Sequence, residues 1–275
     1  MRMKCQWEKL TAILPPEIAR QLDGRDRENA REIRLRLGAA PEINLGTGRR
    51  ELCGQVSQEN LTYAINLASK YSPWCAATLA QGYLTAPGGH RIGVCGDGIF
   101  RQGQTDGFRS VRSLCIRVAR DFPGIGTGLE RVSTLIVGAP GRGKTTLLRD
   151  LSRQISKQET VSVVDERGEL FPQGFETGRH MDILTGVPKP QGVEMVLKTM
   201  GPAYIAVDEI TSEADCQAML QAANCGVRLL ATAHGAGLSD LRERPMYRRL
   251  LEAGVFRQIL VLSREQSYRR ERVTI

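Results

Sequence analysis

A glycine-rich segment in the second half of the chain has the residue types and spacing needed to hold phosphate groups. The pattern G-x-x-x-x-G-K-[ST] is met at every fixed position by Gly138-Ala139-Pro140-Gly141-Arg142-Gly143-Lys144-Thr145. Glycines let backbone N–H groups turn towards phosphate oxygens, and the start of a following helix adds positive potential. Lys144 is predicted to reach the β- and γ-phosphates, and Thr145 to place its hydroxyl on Mg²⁺. The segment therefore predicts a site for ATP and Mg²⁺ with Thr146 as its last residue, the alternative being a glycine turn without a ligand.

The elements around this segment fit such a site. An apolar strand, Thr134 to Val137, comes directly before it, and a helical stretch, Thr146 to Ile155, follows it. A strand, a loop and a helix in this order are the context in which the pattern binds phosphates. Arg142 occupies an unconstrained position of the loop, and we expect its side chain to point to solvent.

Two further apolar runs end in an Asp-Glu pair. They are Val163-Val164-Asp165-Glu166 and Ala206-Val207-Asp208-Glu209. In a parallel sheet both pairs lie at the carboxyl edge, on the side of the phosphate loop. We predict that Asp208 holds Mg²⁺ through water and that Glu209 orients and deprotonates the attacking water. For the first pair, a solvated loop or a helix cap is the alternative.

A histidine follows the next apolar run, Leu229 to Ala233. It is His234, within Ala231-Thr232-Ala233-His234-Gly235. A lone histidine is often structural, but at a strand end beside a phosphate site it is suited to sensing the γ-phosphate. We predict that role for His234, with Thr232 as a weaker candidate.

The second part of the chain has the sequence pattern of a doubly wound α/β domain. Short aliphatic runs alternate with helical stretches, and the runs are Leu135 to Val137, Val161 to Val164, Tyr204 to Val207, Leu229 to Ala231 and Ile259 to Leu262. Buried parallel strands are typically continuous apolar runs, and helices between them form right-handed crossovers. The predicted fold class is therefore α/β, a P-loop domain with a mostly parallel, doubly wound sheet.

The first part is predicted to be a smaller α+β domain. Residues 8–22 are helical in pattern, but Pro15-Pro16 divides them into two short helices. Strands are predicted where apolar residues alternate around 33–37 and 113–118, and in the glycine-rich stretch 87–98. A helix is predicted over 61–70. The Pro- and Gly-rich stretch 121–130 indicates a linker, which gives domains over 1–120 and 131–275.

Composition limits the class of protein. The net charge of +8 suits a nucleic-acid partner, but it also suits a basic protein beside an anionic membrane. None of the seven cysteines forms a C-x-x-C pair, so a zinc ribbon or thioredoxin-like site is not indicated. The start of the chain lacks a signal-peptide core, and no apolar run is long enough to span a membrane. A cytoplasmic protein is expected, with any membrane contact peripheral.

The residues around the second Asp-Glu pair resemble the hexameric ATPases of type II and type IV secretion systems, and this resemblance implies a RecA-like P-loop domain. The resemblance is carried by Gly201 to Ile210, by Ala218 to Gly226 and by Ala231-Thr232-Ala233-His234. In those motors a glutamate ends the Walker B strand and a histidine box follows one helix later. The run Val163 to Glu169 resembles their acidic Asp box. That likeness implies that Glu166 or Glu169 shares the water-activating role predicted for Glu209.

A closer resemblance, over nearly the whole chain, is to the stage III sporulation AA proteins. It is carried by Gly88-Gly89-His90-Arg91-Ile92-Gly93, Val164-Asp165-Glu166-Arg167, Asp182-Ile183-Leu184 and Lys189-Pro190. It implies a cytoplasmic homo-hexameric ATPase that docks on an integral-membrane component of a sporulation channel. The implied place is the inner face of the cell membrane, on the mother-cell side.

The sequence departs from the type II motors at several positions. Those motors have glycine where Asp208 stands and an Arg-Asp pair where Thr211-Ser212 stand. They also carry a four-cysteine metal module, which this sequence lacks. The departures favour the sporulation branch of the family.

Three functions stay open at this point. The first is an oligomeric ATPase motor for a trans-envelope channel, completed by an arginine finger such as Arg91, Arg112 or Arg117. The second is a nucleic-acid-dependent ATPase, which the charge favours but the lack of interleaved aromatic and basic residues disfavours. The third is a scaffold that binds ATP and assembles with little turnover.

Overall fold

The chain forms two compact units, each with its own sheet. A computed structural model describes residues 3–70, 76–101, 103–263 and 268–272. One unit is Met3–Asp121 together with Gln173–Phe175, and the other is Phe122–Pro172 with Glu176–Ile275. No feature of the sequence indicates that the tripeptide Gln173–Phe175 belongs with the first unit.

The first unit combines short helices with an antiparallel sheet of order β3-β2-β1-β6-β5-β4. The elements are α1 (Trp7–Ala12), α2 (Pro16–Ala19), α3 (Gly24–Asn29), β1 (Glu32–Arg36), β2 (Glu42–Asn44), β3 (Arg49–Glu51), α4 (Gln58–Ser69), α5 (Ala76–Ala80), β4 (Tyr83–Ala86), β5 (His90–Arg101) and β6 (Gln104–Arg117). The predicted break between two helices is confirmed, because α2 begins at Pro16, where a first-turn proline lacks only an N–H that the helix does not use.

The core of the first unit follows the alternation read from the sequence. Ile33 and Leu35 are buried, while Arg34 and Arg36 on the same strand are half-buried. The predicted third position of this pattern, Leu37, lies just beyond β1 and is exposed. The register with β6 ends at the pair Arg36–Ser113, although the Leu37 N–H still donates to the Arg112 carbonyl at 2.9 Å.

The second unit is built on a mostly parallel sheet of order β13-β12-β7-β11-β10-β8-β9. Its elements are β7 (Thr134–Val137), α6 (Lys144–Ile155), β8 (Val161–Asp165), β9 (Met181–Thr185), α7 (Lys189–Thr199), β10 (Tyr204–Val207), α8 (Glu213–Asn224), β11 (Arg228–Ala233), α9 (Leu238–Glu243), α10 (Pro245–Glu252), β12 (Gln258–Leu262) and β13 (Tyr268–Arg272). Of these described strands, β13 alone runs antiparallel to its neighbour.

Side chains of the central strands alternate between two hydrophobic cores, one on each face of this sheet. Ile136 and Ala206 pack with α6 residues such as Leu148, whereas Val137 and Val207 pack with α8 and α10. Helices on both faces make the domain doubly wound, as predicted. No helix in the described part of the chain is both long and apolar enough to cross a membrane.

Candidate phosphate-binding and catalytic site

The glycine-rich loop connects β7 to α6, as the pattern predicts. Gly141 and Gly143 have φ of +74° and +89°, a left-handed conformation that costs glycine least. Gly143 is the N-cap of α6 and offers no side chain to its first N–H groups. These donors, together with the helix dipole, form an anion-binding concavity. Arg142 is half-exposed, so its side chain reaches solvent only in part.

Lys144 begins α6 and lies beneath the loop with only 8% of its surface exposed. Its Nζ is 3.1 Å from the Ala139 carbonyl oxygen and 3.1 Å from His234 Nδ1. Burial lowers the pKa of this ammonium, while the nearby carboxylates of Glu209 and Asp208 act in the opposite direction. The lysine is thus a poorly solvated cation that gains from an additional anionic partner.

Asp208 follows β10 and links two hydroxyl groups from different elements. Its Oδ2 accepts a hydrogen bond from Thr145 Oγ1 at 2.8 Å, and its Oδ1 accepts one from Thr232 Oγ1 at 2.7 Å. A hydroxyl and a carboxylate this close are hard oxygen donors that suit Mg²⁺. Among the described residues no cluster of three or more metal-binding side chains exists. Mg²⁺ here would take its other ligands from phosphates and water, as it usually does.

Glu209 adopts an unusual backbone conformation. Its φ is +51°, and Lys70 is the one other described non-glycine residue with a positive φ. Its N–H donates to Thr232 Oγ1 at 2.8 Å. Its Oε1 is 2.9 Å from His234 Nε2. Because Lys144 donates to the other ring nitrogen, Nε2 carries the proton, and His234 bridges the loop lysine and the glutamate.

The first Asp-Glu pair is divided between two tasks. Asp165 is buried and accepts N–H groups of Glu169, Leu170 and Phe171 at 2.9, 2.8 and 3.1 Å. Burial raises the pKa of this carboxyl even though the backbone donors act against it. Asp165 therefore holds the loop after β8, as a buried residue at the end of a strand and not as the solvated loop or helix cap stated as the alternative. Glu166 instead faces outward and accepts from Lys189 Nζ at 3.1 Å.

These side chains share one cleft at the carboxyl edge of the sheet. It is lined by Asp165, Glu166, Arg167, Glu169, Lys189, Asp208, Glu209 and Thr211. The predicted residues Glu166, Asp208 and Glu209 thus come together. Thr145 donates a hydrogen bond to Asp208, and His234 contacts Glu209. Sequence reasoning gave no role to Lys189 or Arg167, although both follow parallel strands at this edge.

The comparisons with known proteins concern the whole chain. A family model described as sporulation stage III, protein AA, matches residues 4–272. The chain belongs to this family. The stage III sporulation protein AA of Bacillus subtilis is 35% identical over 253 residues, which cover 85% of this chain and 82% of that protein. The uncharacterized protein ycf45 of Porphyra purpurea is 30% identical over 86% of this chain but only 42% of its own length.

Solved structures show the fold of this stage III AA family member. The ATPase DotB of Legionella pneumophila has a TM-score of 0.64 and 17% identity, covering 94% of this chain and 79% of DotB. The pilus retraction motor PilT, solved with bound ADP, has a TM-score of 0.59 and 14% identity, covering 87% of this chain and 78% of PilT. The expected RecA-like fold and the resemblance to secretion ATPases are confirmed.

Proposed function

We propose that this chain binds ATP with Mg²⁺ at Gly138 to Thr146 and hydrolyses it. One observation carries the proposal: a single hydrogen-bonded network next to the glycine loop, with Thr232 as its link, contains Lys144, Thr145, Asp208, Glu209 and His234. Hydrolysis of a phosphoanhydride needs a cation at the phosphates, a metal site and a base for water. The network contains a residue suited to each.

The roles follow from the contacts. Lys144 exchanges its Ala139 and His234 contacts for phosphate oxygens when ATP binds. Thr145 and Asp208 would hold Mg²⁺, which would offset the charge on the phosphates. Glu209 accepts the proton of the attacking water. Glu166 is the second candidate base, and it forms an ion pair with Lys189 at the cleft wall.

His234 is suited to sense the state of the nucleotide. Its ring contacts Lys144 through Nδ1 and Glu209 through Nε2. A lysine that turns to the γ-phosphate leaves Nδ1 without its donor, so the ring and the glutamate become free to move together. The sensor role is thereby coupled to the position of the base.

The test measures ATP binding and turnover in wild type, Lys144→Ala and Glu209→Gln. We expect Lys144→Ala to lose nucleotide binding, because the loop loses its buried cation. Glu209→Gln should keep binding and lose most turnover, because the amide cannot accept the proton of water. Tight ATP binding by Lys144→Ala would overturn the phosphate site.

In the cell, this ATPase would work as a cytoplasmic homo-oligomeric motor, a hexamer, against an integral-membrane component of a sporulation channel. The family and the fold shared with a pilus retraction motor support this role. Turnover per subunit should rise with protein concentration and be indifferent to single-stranded DNA. Strong DNA stimulation would favour the nucleic-acid-dependent ATPase that the charge of +8 suggests. Nucleotide-dependent assembly without turnover would favour the scaffold.

A further inference from the structure

Among the described residues, Arg167 is a cation of the cleft without a protein partner. Its side chain is exposed, lines the cleft beside Asp208 and Glu209, and has no hydrogen bond or ion pair with any residue that the structure describes. The neighbouring lysines differ from it. Lys144 is held by His234, and Lys189 lies 3.1 Å from Glu166. An arginine that faces several carboxylates yet pairs with none is available for a ligand.

The backbone that carries Arg167 is fixed. Gly168 N–H donates to the Asp165 carbonyl at 3.1 Å, which closes a turn with Glu166 and Arg167 at its centre. The following residues are clamped from both sides. The Asp165 carboxylate accepts three of their N–H groups, and buried Arg149 donates to the carbonyls of Glu169 and Leu170. The loop therefore presents Arg167 from a preorganised position at the end of β8.

We propose that Arg167 contacts the γ-phosphate in the transition state of hydrolysis, as an arginine finger supplied by the chain itself. The inference rests on the proposed ATPase function and names a catalytic residue for it. The oxygen of the attacking water bonds to the γ-phosphorus while the bond to the β–γ bridging oxygen breaks. ADP leaves with the electron pair, and the proton of water passes to Glu209. Negative charge grows on the γ-phosphate oxygens, and a guanidinium group can donate two parallel hydrogen bonds to two of these oxygens.

Two of the three first-unit arginines predicted for this role, Arg112 and Arg91, have partners of their own, whereas Arg117 is exposed without a partner among the described residues and does not line the cleft. Arg112 pairs with Asp97 at 2.9 Å, and Arg91 stacks on the Tyr83 ring with its guanidinium carbon 4.3 Å from the centroid. A finger from these positions would first have to give up those contacts. Arg167 gives up none among the described residues, and it already lies in the cleft that holds the proposed base.

The experiment compares Arg167→Gln and Arg167→Lys with a matched control, Arg179→Gln. Arg179 is also exposed and unpaired among the described residues, but it comes just before β9, at the opposite edge of the same sheet. We expect Arg167→Gln to lower kcat about 10³-fold, as loss of an arginine finger does, and to leave ADP affinity unchanged. Affinity for ADP with aluminium fluoride, a transition-state mimic, should fall by a similar factor. Arg167→Lys should have little more turnover than Arg167→Gln, because lysine lacks the planar guanidinium group.

Added guanidinium ion should partly restore turnover to an Arg167→Gly protein, which separates a missing charge from a misfolded loop. Arg167→Gln that turns over and binds the fluoride complex as Arg179→Gln does would overturn the assignment while the ATPase function stands. Wild type that neither binds nor hydrolyses ATP would overturn the proposed function, and this inference with it.

Discussion

At the scale of single residues, Thr232 determines how the base is presented. Its hydroxyl accepts the N–H of Glu209 at 2.8 Å and donates to Asp208 at 2.7 Å, and the residue is fully buried. Valine keeps the shape of the side chain and removes both bonds. We expect Thr232→Val to lower the free energy of unfolding by about 1–3 kcal/mol, the usual effect of an unpaired buried group. It should also reduce kcat more than ATP affinity.

Thr232→Ser is the matched control, since serine keeps the hydroxyl. Urea unfolding and steady-state kinetics of both variants decide the point. Equal turnover in the valine and serine proteins would mean that the left-handed conformation of Glu209 does not depend on this hydroxyl.

Residue identity and spacing revealed only part of this site. A fixed motif marks Lys144 and Thr145, because the phosphate loop needs those types at those distances. Arg167 lies in the run that resembles the Asp box, but no fixed pattern gives it a role, and its lack of a partner among the described residues is visible only in the structure. The different roles of Asp165 and Glu166 also depend on the tertiary structure. Side-chain direction at the end of β8 decides which of the two is buried.

At the scale of elements, His90 joins three segments of the first unit. It begins β5, its Nε2 donates to the carbonyl of Gln6 at the start of α1, and its Nδ1 accepts the N–H of Ala119 after β6. Burial lowers the pKa of this imidazole below its usual value near 6.5. The folded unit therefore holds the neutral ring, while the unfolded chain binds a proton more readily.

Protonation of His90 therefore favours the unfolded chain. The stabilising contribution of His90 is complete above about pH 6.5 and is lost as the pH falls towards the lower folded-state pKa. We expect the free energy of unfolding to decrease from pH 7 to pH 5 more steeply in wild type than in His90→Gln. Urea titrations across this range measure the difference between the two proteins, since the carboxylates contribute equally to the pH dependence of both. Parallel curves would contradict the account.

Elements differ in how clearly the sequence indicates them. The central strands β7, β8, β10, β11 and β12 were all predicted, because burial on both faces requires continuous apolar runs. The edge strands were missed. An edge strand needs apolar residues on one face at most, so it shows no continuous apolar run. Half-exposed β9 contains Asp182, and β13 is mostly charged.

At the scale of the whole molecule, each unit has its own hydrophobic core, and the proposed nucleotide site lies within the second. Both tryptophans of the sequence, Trp7 and Trp74, precede Asp121. Trp7 is buried in the core of the first unit, so its fluorescence follows unfolding of that unit, whereas circular dichroism follows helices of both units.

A ligand that binds one folded unit stabilises that unit by mass action, by about 2.7 kcal/mol at a hundred times its Kd. We therefore expect Mg²⁺ and ATP to raise the midpoint of the unfolding transition seen by circular dichroism. The tryptophan transition should stay where it is, because the first unit does not contain the glycine loop. Lys144→Ala should remove the shift. A nucleotide-dependent change in the tryptophan transition alone would place the binding site in the first unit, against the network around Lys144 and Asp208.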